Sequence, residues 1–346
     1  MVIRTIRNRL TVILTKKPAR NLIAFCIACS YALCVAQVSG QDWSADAHIH
    51  HGLAYNEDGL QMEHWVYFEQ SNIRVIGYPM PIKRDQHDSL LSTVQSEMED
   101  LQHLSSQVPT FMVAEKHEDL MRHPSEDGIV IVPGIEYFHG VFGGDWATVA
   151  EYGSLGIRYI TLIDHETDKL FDNGLITSFG EKVISLMNEN RILIDISHLS
   201  EEEALQVIRL SSSPVIASHS SATAISDNPV SLSEDVLDAL AGNGGYVFTT
   251  FNKNDLYRRT DQSNDGVNRF VQHVVYLVRK IGHCHVGIGS DYQALGRYVP
   301  SSLNEVNTYS QIWSGLKAAG FSAEDIACVS HGAFLNALGH TTRQSK

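Results

Sequence analysis

From residue 129 onward the chain alternates short β-branched and aliphatic runs with longer stretches of helical periodicity, the pattern of successive parallel βα units. The runs predict strands over residues 128–136, 158–163, 192–198, 214–219, 245–251 and 285–291. Helices are predicted between them, over 145–155, 180–190, 200–210, 233–241 and 264–281. Earlier in the chain, 45–50 and 72–78 read as strands and 89–107 as a helix. The run Ile192–Ile196 is apolar without alternation, which suits a strand covered on both faces. About eight such strands make a (β/α)₈ TIM-type barrel the economical fold, as a single α/β domain over residues 41–346. A doubly wound open sheet is the other fold this alternation permits, but no Gly-x-Gly-x-x-Gly follows the first strand.

The first 40 residues break this pattern. Arg4, Arg7, Arg9, Lys16, Lys17 and Arg20 precede an apolar run over 22–38, with no acidic residue among them, which is the layout of a signal peptide. Cys34-Val35-Ala36 and Val38-Ser39-Gly40 offer small residues for cleavage near 36 or 40. The alternative is an uncleaved membrane anchor, for which the run is short. Both readings put the folded part outside the cytosol, periplasmic or secreted. Six of the 26 Lys and Arg precede Gln41, so cleavage would take the formal net charge from −14 to about −20. A surface this acidic excludes nucleic acid and anionic membrane as natural partners. Only Cys284 and Cys328 lie beyond the leader. That rules out a disulfide framework and leaves the pairing of these two undecided by spacing.

The candidate chemistry sits where the predicted strands end. His48 and His50 are two apart at the end of the first strand, so a period of two puts both on one side. Glu136, His198, His219 and Asp291 close the runs GIVIVPGIE, RILIDISH, SPVIASH and HVGIGSD. In a barrel of this kind the carboxyl ends of the strands converge on one face. A solitary histidine there is usually structural. Imidazole and carboxylate donors at five strand ends together form a ligand set for two Zn²⁺ ions, with a carboxylate able to bridge them. No Gly-x-Ser-x-Gly and no His-Glu-x-x-His points to another class of hydrolase. Asp195 and Ser197 read as groups that orient His198, and His273 and His285 as hydrogen-bonded core residues.

At these residues the sequence resembles the renal (membrane) dipeptidase family of zinc peptidases, through the segments ADAHIH, VPGIE, LGIRYITL, GLITSFG, LMNENRILIDISHLS, PVIASHSSA and HVGIGSDY. The resemblance implies a (β/α)₈ barrel with two zinc ions. One would be held by His48, His50, Glu136 and Asp291, the other by Glu136, His198 and His219, with Glu136 bridging. It implies hydrolysis of small dipeptide-like amides by a hydroxide between the metals, with Asp291 as proton acceptor, and it implies a homodimer.

Three positions depart from the family pattern. His50 stands where the family has Asp, which leaves the two-zinc site with one negative charge fewer. Val230, in Asp227-Asn228-Pro229-Val230-Ser231, stands where the family has an Arg that grips the substrate carboxylate, and valine cannot make that bidentate contact. In TLIDHETD, Asp164 takes the place of a His that in the family helps bind the substrate and the tetrahedral intermediate, and His165 follows one residue late, so both are candidates for the substrate site and His165 is the catalytic candidate for stabilising the oxyanion. Gln293 and Ala294 depart as well, and Arg258 and Arg259 read either as a solvated loop pair or as a replacement clamp. The departures keep two further readings open. One is a metallohydrolase of the same fold acting on an ester, lactone or modified amino acid; the other is a degenerate member that binds without cutting.

Overall fold

The computed structural model describes residues 43–50, 54–56, 59–61, 71–80, 90–108, 110–114, 119, 128–136, 140–261, 265–292, 298–305 and 307–341. The signal segment, Gln293 and Ala294 therefore lie outside the described residues. Residues 41–346 form one compact unit. Its parallel sheet is built from β1 (Ser44–Asp46), β2 (Ile73–Met80), β3 (Phe111–Val113), β4 (Ile129–Ile135), β5 (Tyr159–Thr161), β6 (Leu193–Asp195), β7 (Ile216–Ser220), β8 (Tyr246–Thr249) and β9 (Val286–Ile288). The order is β1-β2-β4-β5-β6-β7-β8-β9, with β3 paired to the first half of β4 and β5 to its end.

The two ends of this sheet meet just past their last paired residues. Ala47 N–H donates to the Ile288 carbonyl at 2.8 Å, Asp291 N–H to the His48 carbonyl at 2.9 Å, and Ile49 bridges Tyr292 in parallel register. The sheet is thus an almost closed eight-strand barrel, and the open doubly wound alternative is set aside. Most of the sequence-predicted strands are too long at their carboxyl ends, the exceptions being 72–78, which runs on to Met80, and 214–219, which runs on to Ser220. β6 stops at Asp195 rather than 198 and β9 at Ile288 rather than 291. There the backbone leaves the ladder to splay its polar side chains over the barrel mouth. β3 was not foreseen, being only three residues long and below the length at which alternation can be read.

The outer layer is α1 (Leu90–Gln107), α2 (Thr148–Leu155), α3 (Ser178–Glu189), α4 (Glu201–Leu210), α5 (Glu234–Asn243), α6 (Gly266–Ile281), α7 (Thr308–Ala318) and α8 (Ala333–Gly339). Local chemistry starts several of them. Ser200 accepts from Glu203 N–H while the Glu203 carboxylate accepts from Ser200 N–H, a reciprocal cap on α4. Asp265 caps α6 by accepting from Asn268 N–H, and the fully buried Phe270, Val274 and Leu277 lie on one face of that helix. Gly289 sits where β9 reaches the mouth, and a Cβ there would run into the Ser218 carbonyl, so only glycine allows this approach of β9 to β7. Among the described residues no helix is long and apolar enough to cross a membrane.

Cys284 and Cys328 are joined as a disulfide with their Cα atoms 4.6 Å apart, at the amino-terminal side of β9. The bond closes a loop of 44 residues, which by chain entropy stabilises the fold by about 2–4 kcal/mol. Cys328→Ser is expected to lose that amount in denaturant melts under oxidising conditions, and to match the wild type once a reductant is added.

Candidate metal centre

Each side chain at the mouth is delivered by a strand end. His48 and His50 follow β1 on the segment that closes the barrel, Glu136 immediately follows β4, and His198 stands three residues past β6. His219 lies within β7, where the pairing with β8 slips between Ala217 and Ser220. Asp291 follows β9 with a φ of 55°, a left-handed conformation that aspartate tolerates better than most residues.

All six sequence-predicted ligands come together around Glu136. Its Oε1 lies 2.6 Å from His198 Nε2 and 3.4 Å from His219 Nε2. Its Oε2 lies 3.1 Å from His48 Nε2 and 3.0 Å from His50 Nε2. His50 Nε2 also reaches Asp291 Oδ1 at 3.1 Å. Among the described residues three groupings have donor atoms within 4.8 Å of one another: His48 with His50 and Asp291, Glu136 with His198 and His219, and, behind them, His48 with Asp195 and His219. The Nε2 atoms of His48 and His50 are 3.1 Å apart, and those of His198 and His219 are 3.0 Å apart. Metal bonds of about 2.0 Å at tetrahedral angles would set neighbouring ligand nitrogens about 3.3 Å apart. The donor set is therefore of a type and spacing that could hold divalent metal.

The electrostatics follow from burial and proximity. Burial alone would raise Glu136, but the charges and hydrogen bonds of the surrounding histidines hold it well below the usual carboxylate range. Burial would likewise raise Asp291, but the hydrogen bond from His50 and the charges of His219, His48 and His50 together lower it. For His50, burial works towards a lower value, but hydrogen bonds to Asp291 and Glu136 and their charges carry it up to about 9. His219 is pushed well down by burial and by the neighbouring His48.

Beneath the ligands lie two buried carboxylates that hold them. Asp46 accepts from His48 N–H at 3.0 Å, Ser290 N–H at 2.9 Å and the Tyr309 hydroxyl at 2.6 Å, so it clips the β1 and β9 ligand segments together. Asp195 accepts from Ser197 N–H and Oγ–H, Ser218 N–H and Oγ–H, and the Thr161 hydroxyl. Asp46 and Ser218 were missed in the sequence. The signal available was their place, two residues before His48 and one before His219.

The substrate-side candidates are placed differently. The Asp164 carboxylate accepts from Phe171 N–H, and His165 Nδ1 lies 3.0 Å from Thr167 Oγ1 and 3.3 Å from Thr167 N, contacts that organise their own loop. Arg258 and Arg259 are both exposed, and the Arg258 guanidinium donates to the Ile225 and Ala224 carbonyls. Val230 is 65% exposed. Its loop is fastened by Asn228, whose Nδ2 donates to Asp255 Oδ1 at 2.6 Å. Asp255 is raised to about 6 by burial and by the Asp291 charge, which sets it at the same mouth. His273 is a core residue, bonded to Ala222 N–H and the Leu256 carbonyl, while His285 is half-buried and bonded to the Gly245 carbonyl.

A family model described as membrane dipeptidase (peptidase family M19) matches residues 69–346. Among individual relatives, Dipeptidase aclJ of Aspergillus oryzae is 29% identical over 244 residues, covering 67% of this chain and 56% of that protein. Dipeptidase 3 of Mus musculus is 31% identical over 228 residues, covering 61% and 45%. The chain thus spans about half the length of the curated relatives it matches. Among solved structures, an amidohydrolase from Pseudomonas aeruginosa superposes with a TM-score of 0.73 at 17% identity, over 89% of this chain and 98% of that one. A metallo peptidase from Rhodobacter sphaeroides, liganded with a phosphinate mimic of the dipeptide L-Ala-D-Ala, superposes with a TM-score of 0.69 at 18% identity, over 86% and 99%. These structural likenesses show the fold.

His50 gives the metal-free centre a pH signature. Its folded-state value lies above the ordinary 6.5, so its ion pairs stabilise the metal-free fold fully below pH 6.5 and that contribution is lost as pH rises through about 9. The metal-free protein is expected to melt at lower temperature at pH 10 than at pH 7, and His50→Asn to flatten this difference. Zinc binding at pH 7.5 should release a proton, visible as a dependence of the calorimetric heat on the buffer's ionisation enthalpy.

Proposed function

Because the chain belongs to the membrane dipeptidase family of metallopeptidases, we propose that it is a zinc-dependent hydrolase of small, dipeptide-like amides. The observation that carries this reading is the convergence of His48, His50, His198, His219 and Asp291 on the one buried carboxylate of Glu136. His48, His50, Glu136 and Asp291 would hold one ion, and Glu136, His198 and His219 the other. Bound there, two zinc ions would lower the pKa of water and polarise the scissile carbonyl.

The chain's own residues supply the rest. Asp291, held ionised by the His50 hydrogen bond and the charges of the surrounding histidines, takes the proton of the attacking water at its carboxylate and returns it to the leaving amine. Glu136 stays a carboxylate throughout, since its environment holds it far below neutral titration. The loop of Asp164 and His165 is the candidate for the substrate's far end, with His165 swinging from Thr167 to reach it. Residues 1–40 are read as a signal peptide and the mature chain as exported, which an oxidised Cys284–Cys328 pair supports; the homodimer belongs to the same proposal.

A second reading is favoured by one observation: position 230, where the family carries the Arg that grips the substrate carboxylate, is an exposed valine, which leaves only Lys253, Arg258 and Arg259 of the adjoining cavity to replace it. On that reading the same centre cuts an ester, lactone or modified amino acid lacking a free carboxylate.

Elemental analysis of the purified mature protein should find two metals per chain, and Glu136→Ala should lose both, since each grouping uses that carboxylate. One metal or none after zinc is supplied, without hydrolysis of any amide or ester, would make this chain a binding protein. Val230→Arg should lower KM for free dipeptides by about 10-fold or more, the worth of a charge-assisted hydrogen bond, with little change in kcat. No change in KM would mean that the substrate carboxylate is read elsewhere.

A further inference from the structure

The metal ligands must not only converge; their rings must also be protonated on the correct nitrogen. His48 and His219 both aim Nε2 at Glu136, so a neutral ring that binds metal there must carry its proton on Nδ1. Both rings are buried, so each Nδ1–H needs an acceptor inside the protein. The atom facing both is the hydroxyl oxygen of Ser218, 3.1 Å from His48 Nδ1 and 2.8 Å from His219 Nδ1.

A serine hydroxyl has one hydrogen and two acceptor lone pairs. The hydrogen is directed by Asp195, whose Oδ2 takes it at 2.5 Å. Both Asp195 oxygens are met only by donors, from Thr161, Ser197 and Ser218, so the carboxylate has no proton to return. That leaves two lone pairs on Ser218 for two Nδ1–H groups. Were the hydroxyl turned towards either ring instead, that ring would be held with its proton on Nε2, the tautomer that cannot bind metal. His48, His219 and Asp195 also lie within 4.8 Å of one another on this side. Ser218 Oγ occupies the middle of that triangle, which makes it a hydrogen-bonded node rather than a third cation site.

We propose that Ser218 is a positioning residue shared by the two metal sites: its hydroxyl accepts from Nδ1–H of His48 and of His219 while donating to Asp195, and so fixes both rings as Nε2 ligands. One ring serves the ion held with Asp291 and the other the ion held with His198, so a single hydroxyl couples the two sites. This rests on the two-metal reading above, and the test separates the two ideas.

In nitrogen-15 spectra of histidine-labelled wild-type protein, with and without zinc, the Nδ1 of both His48 and His219 should be protonated. In Ser218→Ala, chelator competition should show both zinc sites weakened by about 10–100-fold, while the metal-free variant keeps the wild-type circular dichroism. Ser218→Thr, which retains the hydroxyl, should recover most of the affinity; it also carries the affinity test if the alanine variant does not fold. Unprotonated Nδ1 on either ring, wild-type affinity in Ser218→Ala, or weakening of one site alone would overturn the proposal. A wild-type protein that binds no zinc would defeat the two-metal reading, and the ring spectra of the metal-free protein would still decide the role of Ser218.

Discussion

The barrel mouth depends on one buried carboxylate. Taking Glu136 out of water is costly unless its oxygens find charged or hydrogen-bonding partners. Here both oxygens are met by imidazoles, two from the segment after β1 and one each from β6 and β7. The group that makes the centre chemically useful is therefore also the one whose burial requires the other strand ends to converge. In the metal-free protein that convergence is sustained by protons shared with His50 and His198, both of which are raised against the opposing effect of burial. Divalent ions would take over the same role with the same donors.

The support beneath the centre is as ordered as the centre itself. The barrel closes not through a long ladder but through the ligand segments, with Asp291 N–H bonded to the His48 carbonyl. Asp46 ties those two segments from below, and Asp195 ties β5, β6 and β7. Each of these carboxylates is fully buried and surrounded by donors. Displacing one strand end would leave a buried charge under-satisfied, so the positions of the ligands are coupled to one another through their supports. Precision in such a site comes from this shell rather than from the ligands alone.

The side of the mouth that meets substrate is built differently. Around Val230 the loop is held by Asn228 bonded to Asp255, and Arg258 is engaged with carbonyls of the preceding turn. The proposed metal ligands stand on strand ends, whereas the residues proposed to meet the rest of the substrate stand on loops. Such a division is natural in a barrel, where strand ends fix the reacting centre and the loops beyond them set specificity.

Much of this was legible in the sequence. The alternation of apolar runs and helical stretches reflects burial of strands on both faces, a local constraint written residue by residue, and it determined the barrel and the place of Glu136, His198, His219 and Asp291. The spacing of His48 and His50 determined that both face one side. What only the tertiary structure decided involves pairs distant in the chain: the closure of β1 against β9, the Cys284–Cys328 bond, and the engagement of Arg258 by the turn at Ala224 and Ile225. Asp46 and Ser218 are of the same kind. A polar residue in a strand has no local partner to announce it, and its meaning lies in the groups that other elements bring to it, Ser290 and Tyr309 for Asp46, His48 and Asp195 for Ser218. Burial is imposed on each residue where it stands, whereas a hydrogen-bond partner exists only once the chain has folded.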